Sequence, residues 1–518
     1  MPITDLIIAF TEPAGPVDTM LTMPVPQMPE CNADEPPKEI DLLSYILNKV
    51  DLVLDQHAQP VAFVKDDASG IHRCYRVRSR PFDHLIRRME IAQGISKQEV
   101  KALIEELEGI AICRNKKVDI HPRFAHKECK LYLDLCNDSD EAVEIDQTGW
   151  RKVVPQSAYF ARHDHQLPLP TPVNPTALSI NSFDPLVAEY EVPQKLLLLA
   201  WLTSCFNHPI EVPIVVVIGP PGSGKSTLCR SLKDLVDPSF SPDIGNLDVS
   251  NLPLILQQHA VPNFENVSCN SRKVADHFCR ATTGGAIAVR RLFTNDELSL
   301  FRFRRPILMN GVELPTNRPD FLDRSLVFSL SRRTNNDAIE NVVARQKEQL
   351  PQLLGSLLTL VSKTLATPEA PENACPFRMA SFARWGRRVA RALGLSEANF
   401  DDAYKNNTQA IGHDLLETDL LVRLLHEFAS KHSANHPWKG AITDLQEKLS
   451  RSKLLHEHAG KEGLVCSAKM LNQKLKELAP LLAQIGVIVE QLPRTKSVRP
   501  WRVYLQQQPQ EQSHEQQK

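Results

Sequence analysis

The sequence has no hydrophobic run long enough to cross a bilayer and no basic segment at its start. Its longest apolar stretch, residues 196–206, is too short for a transmembrane helix. The eleven cysteines include no C-x-x-C pair, which favours free thiols in a reducing cytoplasm over a disulfide framework. These absences predict a cytoplasmic protein with no secretory signal and no membrane partner.

The sequence also lacks a strong excess of either charge, because its formal net charge is only −2. That value does not single out nucleic acid as a partner. The charge is unevenly distributed, however. Residues 1–55 contain ten acids and two lysines, whereas residues 420–505 contain fourteen Lys or Arg and seven acids. We therefore expect a polyanion to dock at the basic C-terminal end.

A length of 518 residues predicts three or four domains. The first folded one shows no paired-carboxylate pattern typical of a primase. We predict a disordered acidic arm at 1–38, an α+β domain at 39–163, a stiff Pro-rich linker at 164–183, an α/β core at 184–335, a helical lid at 336–412, a helical domain with a terminal β-hairpin at 413–505, and a disordered tail at 506–518.

The most specific signal is a glycine-rich loop that follows a buried strand. The β-branched run Ile214–Ile218 is typical of a parallel strand, and it leads into a G-x-x-x-x-G-K-S motif. The predicted nucleotide-binding residues are Gly219, Pro220, Pro221, Gly222, Ser223, Gly224, Lys225, Ser226 and Thr227. Backbone amides and a helix N-terminus would bind phosphates, Lys225 would bridge the terminal phosphates, and Ser226 would ligate Mg²⁺. The motif predicts a P-loop ATPase that uses ATP and Mg²⁺.

Such a pocket also needs an acid that holds Mg²⁺ and positions water. A predicted strand at residues 260–267 offers Glu265, with Asn266 beside it. Pro262 and Asn263 interrupt this strand, and taken alone Glu265 is equally well an ordinary surface acid. A later strand, residues 306–309, ends in Asn310.

A predicted β-hairpin lies between these two strands. Residues 286–293 and 300–305 form its arms, and an Asn-Asp-Glu turn begins at Asn295. Its flanks are basic, and Arg324 comes just before the next strand.

This order of elements resembles superfamily III helicases and the MCM-like AAA+ helicases of bacterial mobile elements, over residues 196–395. The short separation of Lys225 and Glu265 is closer to the superfamily III arrangement. The resemblance implies that residues 184–335 form an AAA+ P-loop core that works as a ring oligomer, expected to be a hexamer, with single-stranded DNA in its pore.

The resemblance also implies roles for individual residues. Asn310 would be a sensor that polarises water or the γ-phosphate, Arg324 a finger that reaches a neighbouring subunit's nucleotide, and Arg378 a second sensor on the lid. Without the resemblance, Arg324 and Arg378 are equally well surface ion pairs. Family hairpins carry a basic residue at the tip. The acidic tip here departs from that pattern. Either the hairpin does not bind DNA phosphates in the way the family does, or the phosphate contact moves to Arg290, Arg291 or Arg302.

The C-terminal pattern of three helices and a basic hairpin predicts a winged helix-turn-helix. Its third helix begins after Ser467 and carries leucines on one face. The predicted contacts to duplex DNA are Lys469, Lys474, Arg494, Lys496 and Arg499. A winged helix used for protein contacts is the alternative.

The sequence thus favours an ATP-dependent DNA helicase or translocase that replicates a mobile element. Two other functions stay open. One is a nucleotide-switched DNA-binding initiator with little or no unwinding activity, which the interrupted strand before Glu265 favours. The other is an AAA+ remodeller that acts on protein.

Overall fold

The computed structural model describes residues 42–65, 72–89, 94–187, 190–207, 209–245, 248, 250–267, 272–290, 298–302, 304–332, 339–370, 375–452, 454, 467–494 and 499–506. The arm predicted at 1–38, the tail after Gln506, the hairpin tip, Arg291 and Lys496 lie outside these residues. None of the helices in the described ranges is both long and apolar enough to span a membrane.

The N-terminal region contains two antiparallel sheets and a short parallel pair. Its helices are α1 (Leu42–Lys49), α2 (Arg80–Arg88) and α3 (Lys97–Arg114). Its strands are β1 (Val50–Leu54), β2 (Pro60–Lys65), β3 (His72–Arg76), β4 (Ile120–His121), β5 (Phe124–Lys127), β6 (Lys130–Asp134), β7 (Ala142–Asp146), β8 (Gly149–Val153) and β9 (Tyr159–Phe160). They pair in the orders β1–β2–β3, β5–β6–β7–β8 and β4–β9.

Helix α3 shows how local sequence fixes an element here. The Ser96 hydroxyl accepts from the Glu99 amide, and the Glu99 carboxylate accepts from the Ser96 amide, which is a capping box. Val100, Leu103 and Leu107 are buried at helical spacing. The sequence pattern predicts a helix around Ser96–Leu107; the structure confirms this helix and extends it to Arg114.

The middle of the chain forms a mixed α/β body around a four-stranded parallel sheet. Its strands are β10 (Ile214–Ile218), β11 (Asn263–Glu265), β12 (Ala286–Arg290), β13 (Leu298–Arg302), β14 (Ile307–Gly311) and β15 (Ser325–Ser329). Its helices are α4 (Asp184–Val187), α5 (Val192–Ser204), α6 (Lys225–Val236), α7 (Leu252–Gln258), α8 (Arg272–Thr283) and α9 (Pro319–Leu322). The parallel sheet has the order β11–β14–β10–β15, and β12 pairs with β13 as an antiparallel hairpin.

Both faces of the parallel sheet are buried. Val215 and Val217 of β10 join one hydrophobic cluster, together with Leu199 of α5, whereas Ile214 and Val216 join another on the opposite face. A strand buried on both faces needs a continuous apolar run. The strand predicted at Ile214–Ile218 is confirmed to the residue.

One outer edge of this sheet is covered by a side chain. The Val327 amide donates to Oδ1 of Asn407 at 3.1 Å, and Nδ2 of Asn407 donates to the Val327 carbonyl at 2.6 Å. Asn407 belongs to helix α12 (Glu397–Thr418). One amide side chain therefore satisfies both outward backbone groups of Val327, the middle residue of this edge strand.

The segment predicted as a linker is bound along helix α10 (Ile339–Ala366). The Val173 amide donates to the Pro351 carbonyl at 3.0 Å, and Leu169 is buried. A Cβ added at Gly355 of α10 would come within 1.7 Å of the Val173 carbonyl oxygen. The close approach of the two backbones therefore requires glycine at this position.

The sequence pattern also predicts a proline-bounded helix at Pro351–Thr364, and its predicted start was wrong. Pro351 lies inside α10, which starts at Ile339. Proline removes one helical hydrogen bond, but the helix continues because its apolar face is buried at Leu353, Leu354 and Leu357. Packing thus outweighs the local preference of proline to end a helix.

The C-terminal region contains α11 (Ala380–Ala392), α13 (Leu420–Ala429), α14 (Ile442–Ser450), α15 (Ala468–Gln484), β16 (Trp438–Gly440), β17 (Val487–Gln491) and β18 (Trp501–Leu505). The strands pair in the order β16–β18–β17. Helix α12 runs through the boundary placed at 412. The single helix predicted at 416–430 is divided at Asp419, whose carboxylate caps α13 by accepting from the Leu421 and Val422 amides.

Candidate active site

The glycine-rich loop lies between the end of β10 and the start of α6. Gly219, Gly222 and Gly224 adopt φ values of 151°, 79° and 89°. Residues that have a Cβ atom rarely adopt such values. A Cβ at Gly219 would also lie 2.4 Å from the Leu330 carbonyl oxygen. The Lys225 ammonium donates to the Pro220 carbonyl at 3.0 Å, so it folds back over the loop. The loop thus presents backbone amides and one cation at the start of a helix.

Three side chains from three elements meet beside this loop. The Ser226 hydroxyl of α6 donates to Oε1 of Glu265 at 2.7 Å and lies 3.5 Å from Oδ1 of Asn310. The sheet register sets Glu265 next to Asn310 and Asn310 next to Val217. All three side chains therefore lie at the carboxyl edge of the parallel sheet, where the polar groups of such sheets collect.

Asn310 is held firmly and has one unused donor. Its side chain is buried, and its Nδ2 has no hydrogen-bond partner among the described residues. Its carbonyl accepts from the Asn266 amide at 2.8 Å, and Asn266 has a left-handed φ of 51°. A buried donor without a partner is costly, so this amide is suited to an oxygen that is not part of the chain. The Asn266 side chain is exposed.

The acid strand is shorter than predicted. Residues 260–267 were expected to form it, but only Asn263–Glu265 pairs with β14. Pro262 has no amide to donate, although its carbonyl accepts from the Leu308 amide at 3.0 Å. Glu265 is nevertheless the last residue of the strand and reaches Ser226.

A second acid near the site was missed by the sequence analysis. Asp243 accepts from Nδ2 of Asn263 at 2.8 Å and pairs with Arg230, one turn along α6 from Ser226. Ile244 adds a parallel bridge to Phe264, which brings Asp243 to the edge of β11. No motif marks Asp243, because its position depends on the fold of residues 238–245.

The buried thiol of Cys229 lies below the site. Burial raises the pKa of Cys229 far above its ordinary value, and the charges of Asp243 and Glu265 raise it further. A thiol with such a raised pKa stays protonated and is not a nucleophile at neutral pH.

The far end of helix α6 is anchored to the N-terminal region by buried charges. Arg123, which is fully buried, pairs with Asp237 at 3.2 Å, and Asp237 pairs with Lys233 of α6 at 3.0 Å. Burial acts to raise the pKa of Asp237, but Lys233 and Arg123 hold it far below the ordinary value. Asp237 is therefore ionised, and the helix that starts at the loop ends on a fixed ion-pair network.

Arg324 and Arg378 lie together at the opposite edge of the sheet. The Ile214 amide donates to the Arg324 carbonyl at 2.8 Å, so Arg324 is beside the start of β10. The five residues of β10 separate it from the loop by about 16 Å at about 3.3 Å per residue. Arg324 pairs with Asp320. Burial acts to raise the pKa of Asp320, but Arg324 and Arg378 together lower it.

The charge of Arg378 thus acts on the segment that carries Arg324. Burial raises the pKa of the neighbouring Asp323, an effect that Arg378 and then Arg324 oppose. Arg378 is exposed. Arg378 and Arg324 therefore act on the same two carboxylates, Asp320 and Asp323.

The residues predicted to bind DNA lie apart from the loop. Arg302 is exposed on β13, and the backbone of Arg290 lies in β12. In the C-terminal region, the predicted contacts Lys469, Lys474, Arg494 and Arg499 are all exposed. The leucine face of α15, which includes Leu471, Leu475, Leu478 and Leu482, is buried as predicted.

Chemically, the carboxyl edge combines the groups that phosphate and a hard cation require. Backbone amides, a helix N-terminus and Lys225 suit phosphate oxygens. The Ser226 hydroxyl and the Glu265 carboxylate are oxygen ligands of the kind that Mg²⁺ takes.

The family model of the actinomycete integrative conjugative element replication protein matches residues 185–414. This part of the chain is similar to a mobile-element replication protein. The matched residues run from α4 to α12 and contain the loop, Glu265, Asn310, Arg324 and Arg378. The comparison with curated proteins gave no match.

Solved structures give weak likenesses. The apo structure of the NrS-1 C-terminal region has a TM-score of 0.35 and 12% identity, and covers 91% of this chain and 100% of that chain. The A-form apo structure of the same region has a TM-score of 0.36 and 12% identity, with coverage of 90% and 98%. Scores at this level leave the function undecided.

Proposed function

We propose that the chain is an ATP-dependent DNA translocase or helicase that acts as a ring oligomer in the replication of a mobile element. The observation that carries the proposal is the convergence of Ser226, Glu265 and Asn310 beside the glycine-rich loop. ATP is the proposed substrate and Mg²⁺ the proposed cofactor. The Mg²⁺ ion, when bound, neutralises phosphate charge.

Each residue at the glycine-rich loop and the neighbouring carboxyl edge of the sheet has a proposed role. The loop amides and Lys225 bind the phosphates, and Ser226 and Glu265 orient the metal side of the pocket. Glu265 also accepts a proton from water during hydrolysis. The free Nδ2 of Asn310 donates to the γ-phosphate or to the attacking water. A donor that is already buried needs little reorganisation when charge develops.

The position of Arg324 supports an oligomer. An arginine stabilises a transferring phosphate only at contact distance, and the length of β10 separates Arg324 from the loop of its own chain. We propose that Arg324, with Arg378 beside it, acts on the nucleotide of a neighbouring subunit in an AAA+ ring. Six subunits are the expected number. The other role proposed for Arg378 is that of a second sensor on the lid, as the resemblance implies.

DNA is the proposed partner at two places. The hairpin of β12 and β13 would contact single-stranded DNA through Arg290, Arg291 and Arg302. The C-terminal module has the elements of a winged helix, so α15 and the β17–β18 ribbon would contact duplex phosphates. The likeness of residues 185–414 to a mobile-element replication protein supports DNA as the substrate.

The test is ATP hydrolysis and strand displacement by the whole chain. We expect DNA to stimulate ATP hydrolysis, and Lys225→Ala to abolish both hydrolysis and strand displacement. Lys347→Ala, which removes a lysine of α10 outside the loop, is the control that should keep both activities. ATP-dependent DNA binding without strand displacement by the unmodified chain would contradict the helicase proposal.

A nucleotide-switched DNA-binding initiator is the second candidate function. The observation that favours it is the three-residue length of β11, which gives Glu265 little support from the sheet. In that case ATP would tighten DNA binding, and hydrolysis would be slow with or without DNA.

A further inference from the structure

A large cavity lies outside the candidate active site. It is a cleft of about 1520 Å³ between the N-terminal region and the middle of the chain. Ligand pockets for drug-sized molecules measure roughly 300–1,000 Å³, so the cleft has room for a longer occupant. Its walls come from β3, the start of α2, β9 and the segment that contains Phe240.

The exposed charges of the cleft favour a polyanion. Arg73, Arg78, Arg80 and Lys117 are exposed lining residues, against the two exposed acids Asp138 and Asp164. The other lining acids, Glu108, Asp134 and Asp140, are mostly shielded from solvent and paired with arginine. Arg80 and Lys117 have no ion pair among the described residues, so their charge is available to an anionic partner.

Phe240 adds a feature that charge alone does not explain. Its side chain is 66% exposed, and it lines the cleft. Its backbone is fixed, because its amide donates to the His165 carbonyl at 3.1 Å. An exposed aromatic ring at the wall of a basic cleft is how proteins stack unpaired bases without reading their sequence.

The cleft also borders the hairpin. His57 lines the cleft, and its ring lies 5.8 Å from the ring of Phe301 on β13. Arg302 is the next residue of that strand. A chain of nucleotides bound at Phe240 could therefore continue to the hairpin without leaving the protein surface.

We propose that this cleft is a binding site for single-stranded DNA, which stacks a base on Phe240 and pairs its phosphates with Arg80 and Lys117. The inference rests on the proposed function, because it adds an entry path for the strand that the hairpin would contact. Duplex DNA does not suit the site, since a paired base cannot present its face to Phe240.

The first test measures the affinity of the full chain for a fluorescent oligo(dT) strand in the absence of ATP. We expect Phe240→Ala to raise Kd about tenfold and Phe240→Trp to retain the affinity. Ile112→Ala, at an apolar residue that is 53% exposed outside the cleft, is the matched control and should leave Kd unchanged. Equal Kd values for Phe240→Ala and the unmodified chain would overturn the proposal.

The second test separates stacking from charge. The double variant Arg80→Ala/Lys117→Ala should lower the slope of log K against log salt by about 1.4, from about 0.7 for each phosphate contact. Lys101→Ala, an exposed cation of α3 outside the cleft, should leave the slope unchanged. If the double variant weakens binding and Phe240→Ala does not, the cleft holds polyanions by charge alone and the base-stacking site is disproved.

The third test locates the strand directly. An oligonucleotide that contains 4-thiothymidine should photo-crosslink to the peptide that contains Phe240, and crosslinks confined to the hairpin or the C-terminal module would overturn the inference. None of these tests uses ATP. Failure of the chain to hydrolyse ATP would therefore defeat the proposed function and leave the cleft inference standing.

Discussion

The Ser226 hydroxyl donates to the Glu265 carboxylate at 2.7 Å and so joins the helix after the glycine-rich loop to the shortest strand of the parallel sheet. The two residues are 39 positions apart in the sequence, yet the sheet register brings them together through Asn310. Their contact makes several experimental outcomes predictable.

Glu265→Gln should abolish ATP hydrolysis and preserve nucleotide binding. The amide keeps the shape of the carboxylate but cannot accept a proton from water, so we expect turnover to fall about 100-fold or more. Steady-state phosphate release and the Kd of a fluorescent ATP analogue measure the two effects. Glu313→Gln removes an exposed acid of the loop after β14 and should change neither. A Glu265→Gln chain with normal turnover would exclude this residue as the base.

Subunit mixing should reveal whether Arg324 acts on a neighbouring chain. Lys225→Ala and Arg324→Ala should each be inactive alone. Mixed together, they should regain part of the ATPase activity, because some interfaces combine an intact loop with an intact Arg324. A mixture of Lys225→Ala and Glu265→Gln should stay inactive, since both changes affect the same pocket. Absence of recovery in the first mixture, with subunit exchange demonstrated, would argue against action in trans.

Two glycine substitutions should have opposite effects on stability. Gly355→Ala places a Cβ within 1.7 Å of the Val173 carbonyl oxygen and should lower the free energy of unfolding by about 3 kcal/mol or more. Gly109→Ala meets no atom within 4 Å and should raise it by about 0.5–1 kcal/mol, because alanine favours helix. Urea unfolding compares the two. Equal stabilities would show that residues 164–183 do not rest on α10.

Mild acid should destabilise the region around three stacked histidines. The His163 and His165 rings are 5.7 Å apart, and His165 lies 4.0 Å from His259. Burial, together with nearby positive charge, lowers the pKa of His163 and of His259 to about 3. The unfolded chain binds protons at these histidines below a pKa of about 6.5, and the folded chain does not, so stability falls as pH decreases.

When the pH falls from 7.5 to 5.5, each of these two histidines should lower the free energy of unfolding by about 1.4 kcal/mol. Urea unfolding at the two pH values measures the loss, and His259→Asn should reduce it by that amount. His84→Asn, at an exposed histidine, is the control that should retain the full loss. An unchanged pH dependence in His259→Asn would show that His259 binds protons equally well in the folded and the unfolded chain.

The sequence predicted elements best where one local cause dominates. Ile214–Ile218 is a strand because five β-branched residues suit burial on both faces. The sequence pattern also predicts a terminal strand at Trp501–Leu505, and the structure has it with these bounds. The helix starting after Ser467 was found as predicted because the Ser467 hydroxyl accepts from the Met470 amide and its leucines repeat at helical spacing.

Prediction from the sequence failed where packing between distant parts of the chain determines the local structure. Pro351 lies inside a helix because residues of other elements bury its neighbours, which the local sequence does not reveal. The cleft wall at Phe240 forms only when the N-terminal region packs on the middle of the chain. The neighbourhood of Arg378 depends on the same kind of packing, since the Asp320 and Asp323 carboxylates belong to another element.

The amide of Asn407 has a consequence for how copies of this chain can meet. It pairs with both outward backbone groups of Val327, the middle residue of β15, and unpaired groups at a sheet edge are where foreign strands attach. A strand of another molecule therefore cannot pair with the middle of this edge. In the proposed ring, this edge would not favour a continuous sheet through two subunits, which would lock them in one orientation.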